Sequence, residues 1–502
     1  MLLVPPRGWW LLLLLALLFG THAEGKLRNL FPGSFPKEKD HPDQQWVWQK
    51  LDHFDPKCKE FWKQRYFITD YFYTRGGPVF LKLGGEGSAV NTWTTGSSLL
   101  KYAKKMRALY VLLEHRYYGK SQPTKNISTD NLRFLSSRQA LKDAVYFRKF
   151  LTKKLKLFRN KWVVFGGSYS GSLAAWLRVK HPRMFHSAVA YSAPIYAKAN
   201  FSEYLEVIQK ALFRYGQSEC VDAVRNASQV LMHMLKHKEY HSNISRDFRF
   251  CYNSSIDSEK KMSYFIDLLV ENIAGLVQYS RERPLNKDQT NYTFDQKLTT
   301  SDLTLNYFCG VMTAESLGTP YERYAYFANK YLEADNKPCQ DANYDKYIAM
   351  MRKVDWDGEA AIGMRQWLYQ TCTEFGFFQT TDSKHQPFLG KPLSYFIDQC
   401  QEVFDSRFDL DSLLKSIKKT NKHYYMPLIR TGRRILFPNG DLDPWHALSI
   451  NSRRKRNLVG ISIKNSSHCE AMSENDKDDP QNLENARHFI FRTLFRWLKW
   501  KN

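Results

Sequence analysis

One stretch limits the folds open to this chain more than any other. Trp162-Val163-Val164-Phe165 is an apolar, β-branched and aromatic run that ends on Gly166-Gly167-Ser168-Tyr169-Ser170-Gly171 and resumes as the apolar helical segment Leu173-Ala174-Ala175-Trp176-Leu177. The run has the composition of a central strand buried on both faces, and the glycines mark a sharp turn into a helix. A serine on that turn projects its hydroxyl at the carboxyl edge of the sheet, in a strained backbone conformation tolerated only where the flanking side chains are tiny. Gly166 and Ser170 meet that need. The general G-x-S-x-G pattern is displaced, because the second glycine falls one place late, at Gly171. The expectation is an α/β sheet with Ser168 as a nucleophile; the plain alternative is a glycine-rich turn without chemistry.

Length and composition fit a large, dry core: 502 residues, 43% hydrophobic and 15% aromatic, which is not the make-up of a disordered chain. Residues 1–23 carry one arginine, Arg7, an apolar core of eleven residues at 9–19, and Thr21-His22-Ala23 as a small-residue cleavage site. Eleven apolar residues are too few to span a bilayer, so a cleaved signal peptide is expected, and no later stretch approaches transmembrane length. The route is then secretory, ending in lysosomes or endosomes or outside the cell. Seven N-x-[ST] sequons agree with it, at Asn126, Asn200, Asn226, Asn243, Asn253, Asn291 and Asn465. So do eight cysteines without a C-x-x-C pair, which suggest disulfides rather than zinc or redox chemistry. Six of them, from Cys220 to Cys400, mark the middle as a stapled module; Cys58 and Cys469 lie outside it, and a bridge between those two stays open. The charge of +24 raises nucleic-acid binding as a class. It is set aside, because the lysines alternate with apolar residues as on solvated helix faces and no nucleic-acid motif accompanies them.

Taken in order, residues 46–54 read as an entry into the fold and 61–73 as a strand hairpin. A strand at 78–83 follows, running into Gly84-Gly85-Glu86-Gly87, then a helix at 99–106 and a strand at 108–113 leading to Glu114-His115-Arg116-Tyr117-Tyr118-Gly119. A lysine-rich helix at 143–157 delivers the chain to the run before Ser168, and 188–192 is the next strand. After Pro194 the alternation of strand and helix stops: patterns at 205–213, 221–235 and 262–277 are helical, and no internal repeat is evident. Sheet character returns at 434–437 and 460–463, and an amphipathic helix at 482–498 closes the chain. The expected division is an α/β sheet domain in two parts, 24–197 and 426–502, with a helical, disulfide-containing cap at 198–425 inserted between them.

A nucleophilic serine needs a base to take its proton and an acid to orient that base. Asp443, in Asn439-Gly440-Asp441-Leu442-Asp443-Pro444-Trp445, follows one late strand, and His468, in Ser466-Ser467-His468-Cys469, follows the next. Asp441, His446 and His115 compete for these roles. Asp443 is preferred because proline and tryptophan fix it, and His468 because it follows the last strand. Three such residues in the order Ser, Asp, His, each at a strand end, suit an α/β-hydrolase fold. There the backbone N–H of Tyr169, with that of Gly85 or Glu86, would form the oxyanion hole.

Gly166 through Gly171, Glu114 through Gly119, Gly85-Glu86-Gly87 and Asn439-Gly440 through Trp445 together resemble the family of lysosomal Pro-Xaa carboxypeptidase and dipeptidyl peptidase II. Gly84-Gly85-Glu86-Gly87 and Ser467-His468-Cys469 place the resemblance nearest its thymus-specific serine protease branch. The resemblance implies a Ser168, Asp443, His468 triad, a helical cap that narrows the cleft, and cleavage of peptides next to proline or a small residue without metal or organic cofactor. Exopeptidase members carry asparagine where this chain has Gly85, so which peptide end is trimmed stays open. Glu86 and Trp445 are the expected substrate-binding side chains, with an ion pair between Glu86 and Arg116 as the other reading of that carboxylate. Expected partners are peptide substrates and at most a second copy in a homodimer, with no nucleic acid and no transmembrane anchor. Rival functions are an esterase on the same fold and a non-catalytic binding protein on a hydrolase scaffold.

Overall fold

A computed structural model describes residues 43–90, 97–281, 298–454, 458–473, 476–477 and 479–498. The expected signal peptide and the sequon at Asn291 lie outside them. In chain order the strands are β1 (Gln44–Lys50), β2 (Phe61–Thr69), β3 (Val79–Leu83), β4 (Leu109–Leu113), β5 (Trp162–Gly167), β6 (Ser187–Tyr191), β7 (Lys198–Asn200), β8 (Gly376–Phe378), β9 (Ile435–Gly440), β10 (Arg453–Arg454) and β11 (Leu458–Ile463). Among the described residues nine of them form one sheet in the order β1-β2-β4-β3-β5-β6-β9-β11-β10. From β4 to β11 every neighbour is parallel, whereas β1, β2 and β10 add antiparallel edges.

The parallel strands are short and apolar because both their faces are covered. Val79, Leu81, Trp162 and Val164 face one layer, with α2 (Ser137–Lys154) and α3 (Tyr169–Lys180) packed on it. Phe80, Val163 and Phe165 alternate to the other, which α1 (Ser98–Met106) and the C-terminal helix Gln481–Leu498 cover. β4 lies outside β3, so the direction of winding reverses there and the loops at the strands' carboxyl ends open a crevice beside β5. This is an α/β-hydrolase fold.

One expectation fails at the entry. Residues 61–73 do not make a hairpin by themselves: β2 ends at Thr69 and pairs with β1, in register from Gln44↔Phe67 to Lys50↔Phe61. The alternation is real, but the turn is the ten-residue loop before Phe61, where Asp52 accepts the Phe54 N–H, and not the glycines at 76–77.

Between β6 and β9 the chain is mainly helical. The helix α4 (Glu203–Lys236) is broken at Gly216 and Gln217, matching the two separate helical patterns in the sequence. A Cβ on Gly216 would lie 2.4 Å from Cys220 Cβ and 2.7 Å from Cys309 Sγ, so the break makes room for a disulfide. Cys220–Cys309, Cys251–Cys339 and Cys372–Cys400 are bonded, all within this helical stretch. Cys58 and Cys469 are both free thiols, which closes the question of a bridge between them. The helix α5 (Glu259–Tyr279) buries Phe265, Leu269 and Ile273 in the same core as β5, so the sheet and the helical stretch share one hydrophobic interior.

Candidate active site

Ser168 sits where β5 turns into α3, with φ 57° and ψ −134°. Non-glycine residues seldom adopt that left-handed region, and its cost has to be met by the surroundings. Two neighbours meet it. A Cβ on Gly166 would be 2.0 Å from the Ser170 carbonyl oxygen, so only glycine lets β5 pass so close to the first turn of α3. Ser170, standing where the general pattern has glycine, donates from Oγ to the Gly167 carbonyl (2.8 Å) and accepts from the Gly167 N–H (3.0 Å), which ties the elbow shut. Gly166→Ala is therefore expected to cost at least about 2 kcal/mol of stability, because the atoms its Cβ would strike are all backbone; denaturant unfolding of the variant measures it.

Asp443 and His468, the residues expected as acid and base, lie on the loops after the parallel strands β9 and β11. Asp443 is fully buried after β9, and its Oδ1 accepts from the Trp445 N–H (3.0 Å) and from His468 Nδ1 (2.8 Å). A Cβ on Gly440 would be 2.0 Å from the Ser466 carbonyl, so that glycine lets the two loops pack together. The His468 loop is fixed on three sides: Glu470 accepts from Ser466 Oγ and the Ser467 N–H, Ser192 accepts the Cys469 N–H, and the Gln278 carbonyl accepts the His468 N–H at 2.9 Å. Cys469 Sγ lies where a Cβ on Gly167 would meet it at 2.9 Å, which puts the histidine loop directly against the serine elbow. Burial by itself disfavours the imidazolium, but the Asp443 carboxylate, helped by the neighbouring Cys469, holds His468 well above the usual histidine range.

The loop after β3 faces the same elbow. Gly85 packs on Ser170, 3.6 Å from its Cβ to the site a Gly85 Cβ would take. The Glu86 carboxyl is pushed up by burial, against the opposing pull of its own N–H, of His468 and of a hydrogen bond with Ser168. Arg116 is not its partner. That guanidinium is bound by Asp143 through both carboxylate oxygens (2.6 and 2.7 Å) and donates to the Leu51 and Phe134 carbonyls, so the alternative of a Glu86–Arg116 ion pair is ruled out by prior commitment of the arginine.

The competing residues have other work. His115 is buried, with Nδ1 on the Arg116 carbonyl (2.6 Å) and Nε2 on the Tyr169 hydroxyl (3.1 Å), and burial takes its imidazole down to about 4. Asp441 binds Arg214 and accepts the Asn465 N–H, and His446 turns Nδ1 to the Asp443 carbonyl. Trp445 is 9% exposed, and its indole N–H donates to Gln278 Oε1 at 3.0 Å.

Sequence reasoning missed two supports. Glu114 forms a fully buried pair with Arg65 (2.6 Å) and accepts the Ala89 N–H (2.9 Å), so the Glu114-to-Gly119 motif organises the loop carrying Gly85 and Glu86. Gly119, at φ 59°, leaves space for that carboxylate: a Cβ there would lie 2.2 Å from Glu114 Oε1. Gln278, on α5, is the other. Of the sequons, Asn226 and Asn253 are exposed; Asn126, Asn200, Asn243 and Asn465 are half-buried, with Asn200 donating to Asp382 and Asn465 accepting from Arg214. No helix among the described residues is long and apolar enough to cross a membrane.

Comparison with known proteins places the chain in a family. Residues 49–490 match the family described as serine carboxypeptidase S28. A Caenorhabditis elegans chain described as a serine protease is 34% identical over 459 residues, covering 90% of this chain and 87% of that one. The thymus-specific serine protease of Homo sapiens is 31% identical over 490 residues (95% and 90%), and the lysosomal Pro-X carboxypeptidase of Bos taurus 25% over 465 residues (90% and 87%). With nearly its whole described length matched and a serine elbow at the carboxyl edge of its sheet, the chain belongs to the serine carboxypeptidase S28 family and is a serine-type peptidase.

Proposed function

We propose that the protein hydrolyses peptides next to proline or small residues through an acyl-enzyme on Ser168, with His468 as the base and Asp443 as the residue that orients it. The observation carrying this reading is the 2.8 Å bond from His468 Nδ1 to the buried Asp443, on a loop whose next residue touches the serine elbow. With Nδ1 donating to Asp443, Nε2 is the nitrogen left to take the Ser168 proton as Oγ attacks the peptide carbonyl. The proton then passes to the leaving amine, and water, activated by the same nitrogen, frees the acyl group. The Tyr169 and Gly85 amides form the oxyanion hole; Glu86 is the weaker candidate because its N–H faces its own carboxylate. Residues 198–425 act as the cap, a role supported by the grip of Gln278 on the histidine loop and by the approach of Gly363 to the Glu86 carbonyl. Labelling with a fluorophosphonate, and its loss in Ser168→Ala, tests the nucleophile; an unlabelled wild-type protein overturns it.

Glu86 points to the amino end of the substrate. Its carboxylate lies against Ser168 and repels a carboxyl terminus, but would bind a peptide's free ammonium by a charge-assisted hydrogen bond. Such a bond is worth about 1.5–3 kcal/mol, or roughly 10- to 100-fold. Glu86→Gln is expected to lose that factor in kcat/KM on peptides with a free amino terminus and to leave N-acetylated peptides unchanged. The preference for free termini should also grow with pH until the peptide ammonium itself deprotonates at about pH 8, since burial delays ionisation of Glu86. Equal losses on both substrates would remove Glu86 from terminus recognition. A His468 imidazole held above its usual range moves the working limb towards neutral pH.

A further inference from the structure

We propose that Gln278 is a positioning residue for the hydrolytic reaction, holding the aspartate and histidine loops in register from the end of α5. The proposal rests on the assignment of Asp443 and His468 made above.

Gln278 is 7% exposed and makes three contacts, two of which reach the two loops. Its Oε1 accepts from Trp445 Nε1 (3.0 Å) and from the Tyr204 hydroxyl (2.7 Å), and its main-chain carbonyl accepts the His468 N–H (2.9 Å). The first contact reaches Asp443, because the Trp445 N–H donates to Asp443 Oδ1 and the indole is the rigid handle that sets where this N–H lies. Phe201, Tyr204 and Phe377 pack around that indole with ring centroids 5.5–5.7 Å away, so the amide supplies the polar contact inside an aromatic box. The main-chain contact acts on the base. Carbonyls in the last turn of a helix have no partner within it, and the helix end carries partial negative charge. The Gln278 carbonyl is one of these, and the His468 N–H fills it. The adjoining Tyr279 ring stands edge-on to the imidazole at 6.1 Å and 88°. One residue of the helical stretch thus accepts from the Trp445 indole on the aspartate loop and from the His468 N–H on the histidine loop, two loops at the far end of the chain.

A buried amide in an aromatic box would be an odd choice for packing alone, since an apolar residue of the same size avoids the desolvation cost. Position is what the amide adds, and small displacements of catalytic groups cost on the order of 100-fold in rate.

The test compares Gln278→Leu, Gln278→Glu, Trp445→Phe and the Gln278→Leu/Trp445→Phe pair, with kcat expressed per fluorophosphonate-reactive site so that unfolded protein is not counted. The expected result is a fall in kcat of roughly 10- to 100-fold for Gln278→Leu with KM within about twofold of wild type. Gln278→Glu keeps an acceptor for both donors and should recover most of the rate. Trp445→Phe keeps an aromatic ring but loses the pyrrole half of the indole with its N–H, so the double variant should be no slower than the slower single one. Wild-type kcat in Gln278→Leu, or effects that multiply in the pair, would overturn the proposal. If Gln278→Leu does not fold, Trp445→Phe decides, because a wild-type kcat there is equally fatal. His468→Ala separates the two levels: activity retained in it sinks the triad itself, whereas an inactive His468→Ala beside an unaffected Gln278→Leu sinks only the role of Gln278.

Discussion

Ser168→Ala is expected to lower kcat by roughly a million-fold, and His468→Ala by a similar factor, with both variants still folded. Alanine differs from serine here by one oxygen, and the strained backbone at φ 57° is no worse for it, since each residue carries a single Cβ. The elbow is held by Gly166 and by the Ser170–Gly167 bonds, none of which involves the Ser168 side chain. What disappears is the atom proposed to form the acyl bond. The two losses should not multiply in the double variant, because a base without a nucleophile, or the reverse, does nothing. Turnover of a fluorogenic peptide, with circular dichroism as the folding control, measures this. Residual activity of a tenth or more in Ser168→Ala would mean that hydrolysis occurs elsewhere.

The serine elbow was readable because its constraint is local: an apolar strand, tiny flanking residues and a helix lie within some twenty positions. The Asp and His loops were readable for a related reason, as each directly follows a β-rich run that the α/β alternation had already placed in order. Gln278 was not. It sits in an ordinary helical pattern, and its partners Tyr204 and Trp445 are 74 and 167 positions away, so nothing in the local sequence distinguishes it from a solvated glutamine. The hairpin at the entry was misplaced for the opposite reason. Period-2 alternation reports that a segment is a strand but not which segment it pairs with, and β1 was the better partner once Leu51 and Trp62 could be buried beside the loop. The cysteines told where disulfides occur but not how they pair. Cys220–Cys309 depends on a helix break at Gly216 that composition alone does not forecast.

That the helical stretch shares a core with the sheet bears on how the two parts move. A cap joined by a linker could swing as a unit, but here Leu205, Ile208 and Ile273 lie in one buried cluster with Val164 and Leu173. Opening the whole stretch would expose that cluster, at about 25 cal/mol per Å² of apolar surface. Substrate entry is therefore expected to use local movement of loops beside Glu86 and Gly363 rather than a hinge.

Asp443→Asn should lower kcat/KM by about 10⁴-fold and move the pH limb of what remains to lower pH. In the wild type, only the neutral imidazole can accept the Ser168 proton, and Asp443 stabilises the charged form against the effect of burial. Activity should therefore rise with pH along a limb lying above the usual histidine value of about 6.5. Asparagine cannot return that stabilisation, so burial meets less opposition and the limb falls. The same shift has a stability counterpart. A histidine whose folded-state pKa is raised adds stability that is fully present below its unfolded value and is lost as pH rises through the folded one. The stability difference between wild type and Asp443→Asn should then be larger at pH 5 than at pH 9. Rate profiles on one peptide substrate and urea unfolding at the two pH values measure both effects, with Glu86→Gln as the control for the second titrating group in the cleft. A wild-type limb at or below pH 6, still in place in Glu86→Gln, would show that Asp443 does not govern the base in the working enzyme.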